Sequence, residues 1–144
     1  MDAAQALADL TEISSQVHQV AILDLDGAVL AATARDEARA RRFVDAVAPL
    51  LEEADRLARS RGLSDLAQLE VSTLDGSVFA VRRDGRLIVA TTRPDPTVGL
   101  IFYDLKHCLG SIDAEAGQQP SDANGSGEPR EAAGRRGRKA DTSA

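Results

Sequence analysis

Two aspartates one residue apart, Asp24 and Asp26, followed at once by Gly27, close an apolar run in the stretch VAILDLDGAVL. Paired carboxylates can divide nucleophilic and acid/base work between them. The same letters also spell a strand running into an Asp-Gly hairpin turn, a feature with no chemistry in it. What else the chain supplies decides whether this is an active site or a corner.

The stretch resembles the first motif of the haloacid-dehalogenase phosphatases. That resemblance would make Asp24 the nucleophile on phosphorus and Asp26 the proton shuttle. It also asks for a Thr after the glycine, where this chain has Ala28. The chemistry needs a cation beside the nucleophile and further carboxylates at a later strand end to hold magnesium. The chain has two lysines, Lys106 in an amphipathic helical stretch and Lys139 near the C-terminal end, and its last strand-like run ends VATTRPDP with Asp95 alone. The Asp-Gly pair also recurs, at Asp75-Gly76 and Asp84-Gly85, each between β-formers. A shared turn requirement, positive φ at both central residues, explains three copies better than catalysis at one. Asp26 then reads as a turn residue and Asp24 as a strand-end residue that hydrogen-bonds turn amides or faces a partner.

Other reactive types stand alone. Cys108 lies beside an apolar helical face and reads as a small core residue, with His107 directed elsewhere on the helix. His18 has no second ligand at metal spacing. The one G-x-G, Gly125-Ser126-Gly127, falls in a polar stretch rather than between a strand and a helix. Arg35, Arg39, Arg41 and Arg42 could be imagined as a finger for phosphoryl transfer, but beside Asp36, Glu37 and Asp45 they read as a solvated helix face. No catalytic, cofactor or metal residue is nominated, and no cofactor is expected.

The elements that position these residues follow from periodicity. Residues 2–16 open a helical row of Leu7, Leu10, Ile13 and Val17, with Ala3 and Ala6 extending it, behind a candidate N-cap, Asp2. VAILDL and AVLAAT form two short strands. Residues 36–60 spell the longest helix, with Phe43, Val47, Leu50, Leu51, Ala54, Leu57 and Ala58 as its stripe and Gly62 as its stop. Pro49 inside it predicts a kink or two successive helices. Three strands of a meander follow, near Gln68–Leu74, Ser77–Arg83 and Arg86–Thr92. A last helix is expected to open with Asp95 as N-cap and Pro96 at its first position, burying Val98, Ile101, Phe102, Leu105, Leu109 and Ile112.

The 144-residue chain divides into a domain over 1–112 and a tail over 113–144 that has no Leu, Val or Phe, no Ile, and abundant Gly, Ser and charge. Such a composition reads as disordered, and its cluster Arg135, Arg136, Arg138 and Lys139, which could touch RNA or a membrane surface, reads first as a solvated extension. A net charge of −6 and only four aromatic residues, Phe43, Phe79, Phe102 and Tyr103, argue against nucleic acid as a partner. No apolar run reaches membrane-spanning length, and the acidic N-terminal stretch does not read as a signal peptide, so no stable membrane association and a cytoplasmic location are expected.

The order α-β-β-α-β-β-β-α predicts an α+β fold: a five-stranded antiparallel sheet sandwiched between helices, with VAILDL central and covered twice. In this order and in the stretches VAILDLDGAVLAAT, LEVSTLDGSVFAVRRDGRLIVATT and DPTVGLIFYDLKHCL, the chain resembles the Roadblock/dynein light chain (Roadblock/LAMTOR-type) domain, including its bacterial regulators of Ras-like GTPases. The resemblance implies a profilin-like fold and a non-enzymatic regulatory or scaffold role. It further implies a homodimer, or a heterodimer with a paralogous Roadblock protein, and binding of a small Ras-like GTPase that alters its nucleotide cycle or placement. Dimerisation through the first meander strand and the long helices would use Leu69, Val71, Thr73, Val47 and Leu51. The competing readings are a small-molecule sensor of related architecture, which needs a cavity with convergent polar groups, and the phosphatase.

Overall fold

The computed structural model describes residues 1–113, so the expectations for the tail lie outside the described residues. Three helices and five strands follow in the expected order. Helix α1 (Ala3–Ile13) begins where Asp2 accepts a hydrogen bond from the Gln5 amide at 2.9 Å, as its N-cap position requires. It ends earlier than the periodicity suggested: the chain leaves the helix at Ser14, Ile13 stays 65% exposed, and Val17 opens β1 (Val17–Leu23). Val17 had continued the helical row only by chance of spacing.

The sheet runs β2-β1-β5-β4-β3 and is antiparallel throughout. Strand β2 is Val29–Ala32, and the meander is β3 (Gln68–Thr73), β4 (Gly76–Arg83) and β5 (Arg86–Thr92). The middle strand is β5, not β1. Strand β1 is interior and buried on both faces from Val20 to Leu23, which gives it the same apolar signature. Alternate residues of the interior strands serve two cores. One holds Ile22, Phe79, Val81 and Ile88 under α1 and α3 (Val98–Gly110), and Phe79 meets Phe102 edge-on at 5.1 Å. The other holds Ala21, Leu23, Ala80 and Val89 under α2 (Glu37–Ser60).

Helix α2 runs uninterrupted through Pro49, without the break the proline suggested. Pro49 is exposed, so water can reach the carbonyl four residues back that loses its amide donor. The Asp36 carboxylate caps its start by accepting from the Arg39 amide at 2.8 Å. Gly62, at φ 75°, donates to the Arg59 carbonyl while the Leu63 amide donates to that of Ala58, a paired closure that satisfies two of the last carbonyls. The sheet takes only one side of the wide apolar stripe of α2: Ala40, Val44, Val47 and Leu51 are buried, whereas Leu50 is 37% and Leu57 62% exposed.

Helix α3 also starts later than expected. Asp95 has a positive φ of 57° and caps nothing; Thr97 is the N-cap residue, and its amide is held by the Gln16 side-chain oxygen at 2.9 Å. The long-range partner substitutes for a local cap.

Candidate functional site

Asp24 organises a turn. Its Oδ1 accepts from the Asp26 amide at 2.8 Å and the Ala28 amide at 3.0 Å, while its own backbone N–H donates to the Ala28 carbonyl. This five-residue corner is wider than the two-residue turn expected between β1 and β2. Gly27 alone has positive φ there, at 87°. The three Asp-Gly pairs differ in geometry. Only Asp84-Gly85 has positive φ at both residues, 53° and 78°, as a tight hairpin of the I′ kind needs. At the second pair Leu74 and Asp75 make the turn and Gly76 is already in β4, where a Cβ would collide with the Thr92 carbonyl oxygen. A shared letter pair thus serves three different backbone needs.

The cation nearest this corner in the hydrogen-bond network, Arg41 on α2, donates to the Gly27 carbonyl at 2.9 Å rather than to either carboxylate. Among the described residues no group of three or more His, Cys, Asp or Glu is placed to hold a metal ion. Cys108 is buried with its Sγ donating to the Ala6 carbonyl at 3.5 Å, and burial, aided by Asp9, pushes its thiol up to about 11. A thiol so held stays protonated and un-nucleophilic at neutral pH. His107 stacks on Tyr103 with ring centroids 6.1 Å apart. His18 is exposed on β1.

The surface that remains is one of contact. Among the described residues strand β3 is an edge, paired with β4 alone. The Arg82 amide donates to the Ala67 carbonyl at 2.8 Å, in line with the β3–β4 register that sets Gln68 opposite Val81. Hydrogen-bonded pairs alternate along an antiparallel ladder, so Leu69, Val71 and Thr73 spend their backbone groups on β4 and Gln68, Glu70 and Ser72 turn theirs to the open edge. No Lys, Pro or bulge blunts it. Leu69 and Val71, on the α2 face of the sheet, are half-buried and Thr73 is exposed. Val47 and Leu51, also nominated from sequence for a dimer contact, face the sheet inside the protomer and are 8% and 7% exposed. The same helix turns Leu50 and Leu57 outward; two turns apart, they share a face.

A clamp that sequence reading missed fixes this edge. Arg82 of β4 makes two hydrogen bonds to Asp55 of α2, at 2.8 and 2.7 Å, and a third to the Leu66 carbonyl at 3.0 Å. The Leu66 amide returns a bond to Asp55 at 2.8 Å. The guanidinium, through these hydrogen bonds and its charge, holds the Asp55 carboxyl down at about 2 despite opposing desolvation. The signal was present in VFAVRR: Arg82 occupies the inward register of Val78 and Ala80, where a charge needs a partner.

The sequence model of the Roadblock/LC7 domain matches residues 4–93. The chain belongs to the Roadblock/LC7 domain family. Solved structures agree in fold. A Roadblock/LC7 domain from Streptomyces avermitilis superposes with a TM-score of 0.61 at 17% identity, covering 77% of this chain and 94% of that one. The gliding protein MglB of Thermus thermophilus gives 0.60 at 15% identity over 74% and 82%. MglB of Myxococcus xanthus gives 0.57 at 12% identity over 74% and 84%. A comparison with curated proteins finds no match. The Roadblock/LC7 match spans α1 through β5, so the turn at Asp24, the long helix and the open β3 edge all lie within the family domain.

Proposed function

We propose that this Roadblock/LC7 domain is a non-enzymatic regulatory or scaffold module of the cytoplasm that dimerises through β3 and α2 and, as a dimer, binds a small Ras-like GTPase and modulates its nucleotide cycle or placement. The observation that carries the reading is the unblunted β3 edge in a member of this family. The residue pattern also selects a register. Two-fold pairing must match residues whose backbone groups face outward, which leaves Glu70 opposite Glu70 or Glu70 opposite Ser72 of the other copy as the well-overlapped choices. Glu70 against itself sets like charges across the ladder and is disfavoured. The second choice puts Val71 on the two-fold axis and Leu69 against Thr73 of the other copy. Both copies then carry α2 on the same face of one continuous sheet, where the outward Leu50 and Leu57 find apolar cover.

Ser72→Pro tests it. The Ser72 N–H has no partner in β4, and an edge strand tolerates proline, so the protomer should fold normally while the shared ladder loses a central bond and meets a bulky ring. Sedimentation equilibrium should show a dimer for the parent chain and a monomer for Ser72→Pro, with superimposable far-UV spectra. Affinity purification under controlled nucleotide state should recover a Ras-like GTPase with the parent and not with the variant. A parent chain that stays monomeric at high concentration and captures no GTPase in either state would refute the reading.

A further inference from the structure

On the opposite side of the sheet from the proposed dimer contact, α1 and α3 leave between them an open cleft of about 290 Å³. Each wall is one helical face: Ala6, Asp9, Leu10 and Ile13 on α1, and Asp104, His107 and Cys108 on α3 with Ser111 at its C-cap, both at i, i+3, i+4, i+7. The lining of α1 runs from Ala6 to Ile13, about 10 Å of helix, which matches about two turns of a helix laid against it. Ile13, 65% exposed, and Met1, 40% exposed, form an apolar rim.

Asp104 is the unexplained group. It is 8% exposed, and among the described residues no hydrogen bond or ion pair reaches its carboxylate. Burial of an ionisable group without a partner is costly and uncommon. The cleft's own nitrogen groups do not supply one: the Met1 ammonium is engaged by the Ser111 carbonyl at 3.2 Å, and His107 stacks on Tyr103. Asp9 and Glu12 add negative charge on the facing wall, and no Lys or Arg occurs before Arg35. The Cys108 thiol on the floor is neutral, so among the described residues the Met1 ammonium faces three carboxylates in the cleft, those of Asp9, Glu12 and Asp104.

We propose that the α1/α3 cleft is a docking site for a protein partner's amphipathic helix that inserts a lysine or arginine against Asp104 and lays an apolar row on Ile13 and Met1. The charge of the walls selects the basic side chain. The exposed Ile13 selects the apolar row beside it. This surface is separate from the β3 edge and does not depend on dimerisation.

A labelled helical peptide of about fourteen residues, with an arginine row beside a leucine row, and its twin with glutamate for arginine are the probes. Fluorescence anisotropy with the full chain should show the arginine peptide bound and the glutamate twin about ten-fold weaker or worse. Asp104→Asn should weaken the arginine peptide by a similar factor, and Ile13→Gln should weaken it less. Asp104→Asn should melt at or above the parent's temperature, since the carboxylate makes no bond within the protomer that the amide would lose. Ser72→Pro should bind the peptide as the parent does, which separates this site from the dimer reading. Equal binding of the two peptides, undiminished binding by Asp104→Asn, or a lower melting temperature for Asp104→Asn would overturn the proposal. A change of oligomeric state on Ile13→Gln would overturn it too, by assigning the cleft to a second copy of this chain.

Discussion

Against one face of the sheet α3 sets Ile101, Leu105 and Leu109 with no exposed surface, whereas against the other α2 sets Val44, Val47 and Leu51, each still 7–8% exposed. The first face has two helices and an aromatic pair; the second has one helix, small sheet residues such as Ala21 and Ala80, and an ion-pair clamp. A single cylinder cannot cover a sheet as fully as two, so the second face is held by fewer apolar contacts and by one directional polar link. The difference separates what makes the protomer stable from what it leaves available for association.

The contrast is broken most severely by matched truncations. Leu105→Ala removes a side chain with no exposed surface and should cost about 4 kcal/mol. Leu51→Ala, at the more open face where neighbours can relax toward the gap, should cost about 2 kcal/mol. Urea unfolding of both in the Ser72→Pro background keeps association out of the measurement. Equal losses would mean that the α2 face is as tightly packed as the α3 face.

The clamp comes next. Asp55→Asn keeps an acceptor for the Leu66 amide but removes the charge that Arg82 grips, and should cost about 2 kcal/mol at pH 7, between an exposed pair and a fully buried one. The Asp55 carboxyl is depressed in the folded protein, from 3.8 to about 2. Its contribution is therefore fully present above the unfolded value of 3.8 and is lost as pH falls through the folded value near 2. Stability of the parent should drop over that interval more than stability of Asp55→Asn. Parallel pH curves would mean that the pair contributes nothing net.

Much of this arrangement was legible in the sequence because it rests on local signals. Strand β5 has the expected bounds, Asp2 and Gly62 punctuate their helices as their types suggest, and the double burial expected of VAILDL holds for Val20 to Leu23, though Leu25 is 84% exposed. The misreadings arose where tertiary partners decide. The start of α3 depends on Gln16, eighty-one residues away in sequence, which no local pattern could reveal. On α2 an apolar stripe wider than the sheet can cover hid which residues are spent inside: Val47 and Leu51 are, Leu50 and Leu57 are not. The Arg82 partner lay on a different element, so register alone could show that a partner was needed and not that it was Asp55.

The smallest effect returns to the corner at the end of β1, which α2 reaches through Arg41. If Asp24 is a turn organiser, what matters is an oxygen that accepts from the amides of Asp26 and Ala28, and not its charge. Asp24→Asn retains an acceptor in the same place and should change stability by less than about 0.5 kcal/mol. Asp24→Ala removes both bonds but leaves the exposed amides to water, and should cost about 1 kcal/mol. Thermal unfolding of the two variants beside Gly27→Ala, which forces a side chain into φ 87° and should also cost about 1 kcal/mol, ranks acceptor against backbone conformation. A large loss with Asp24→Asn would show that the carboxylate charge itself is required, and would return the stretch to the question its two aspartates first raise.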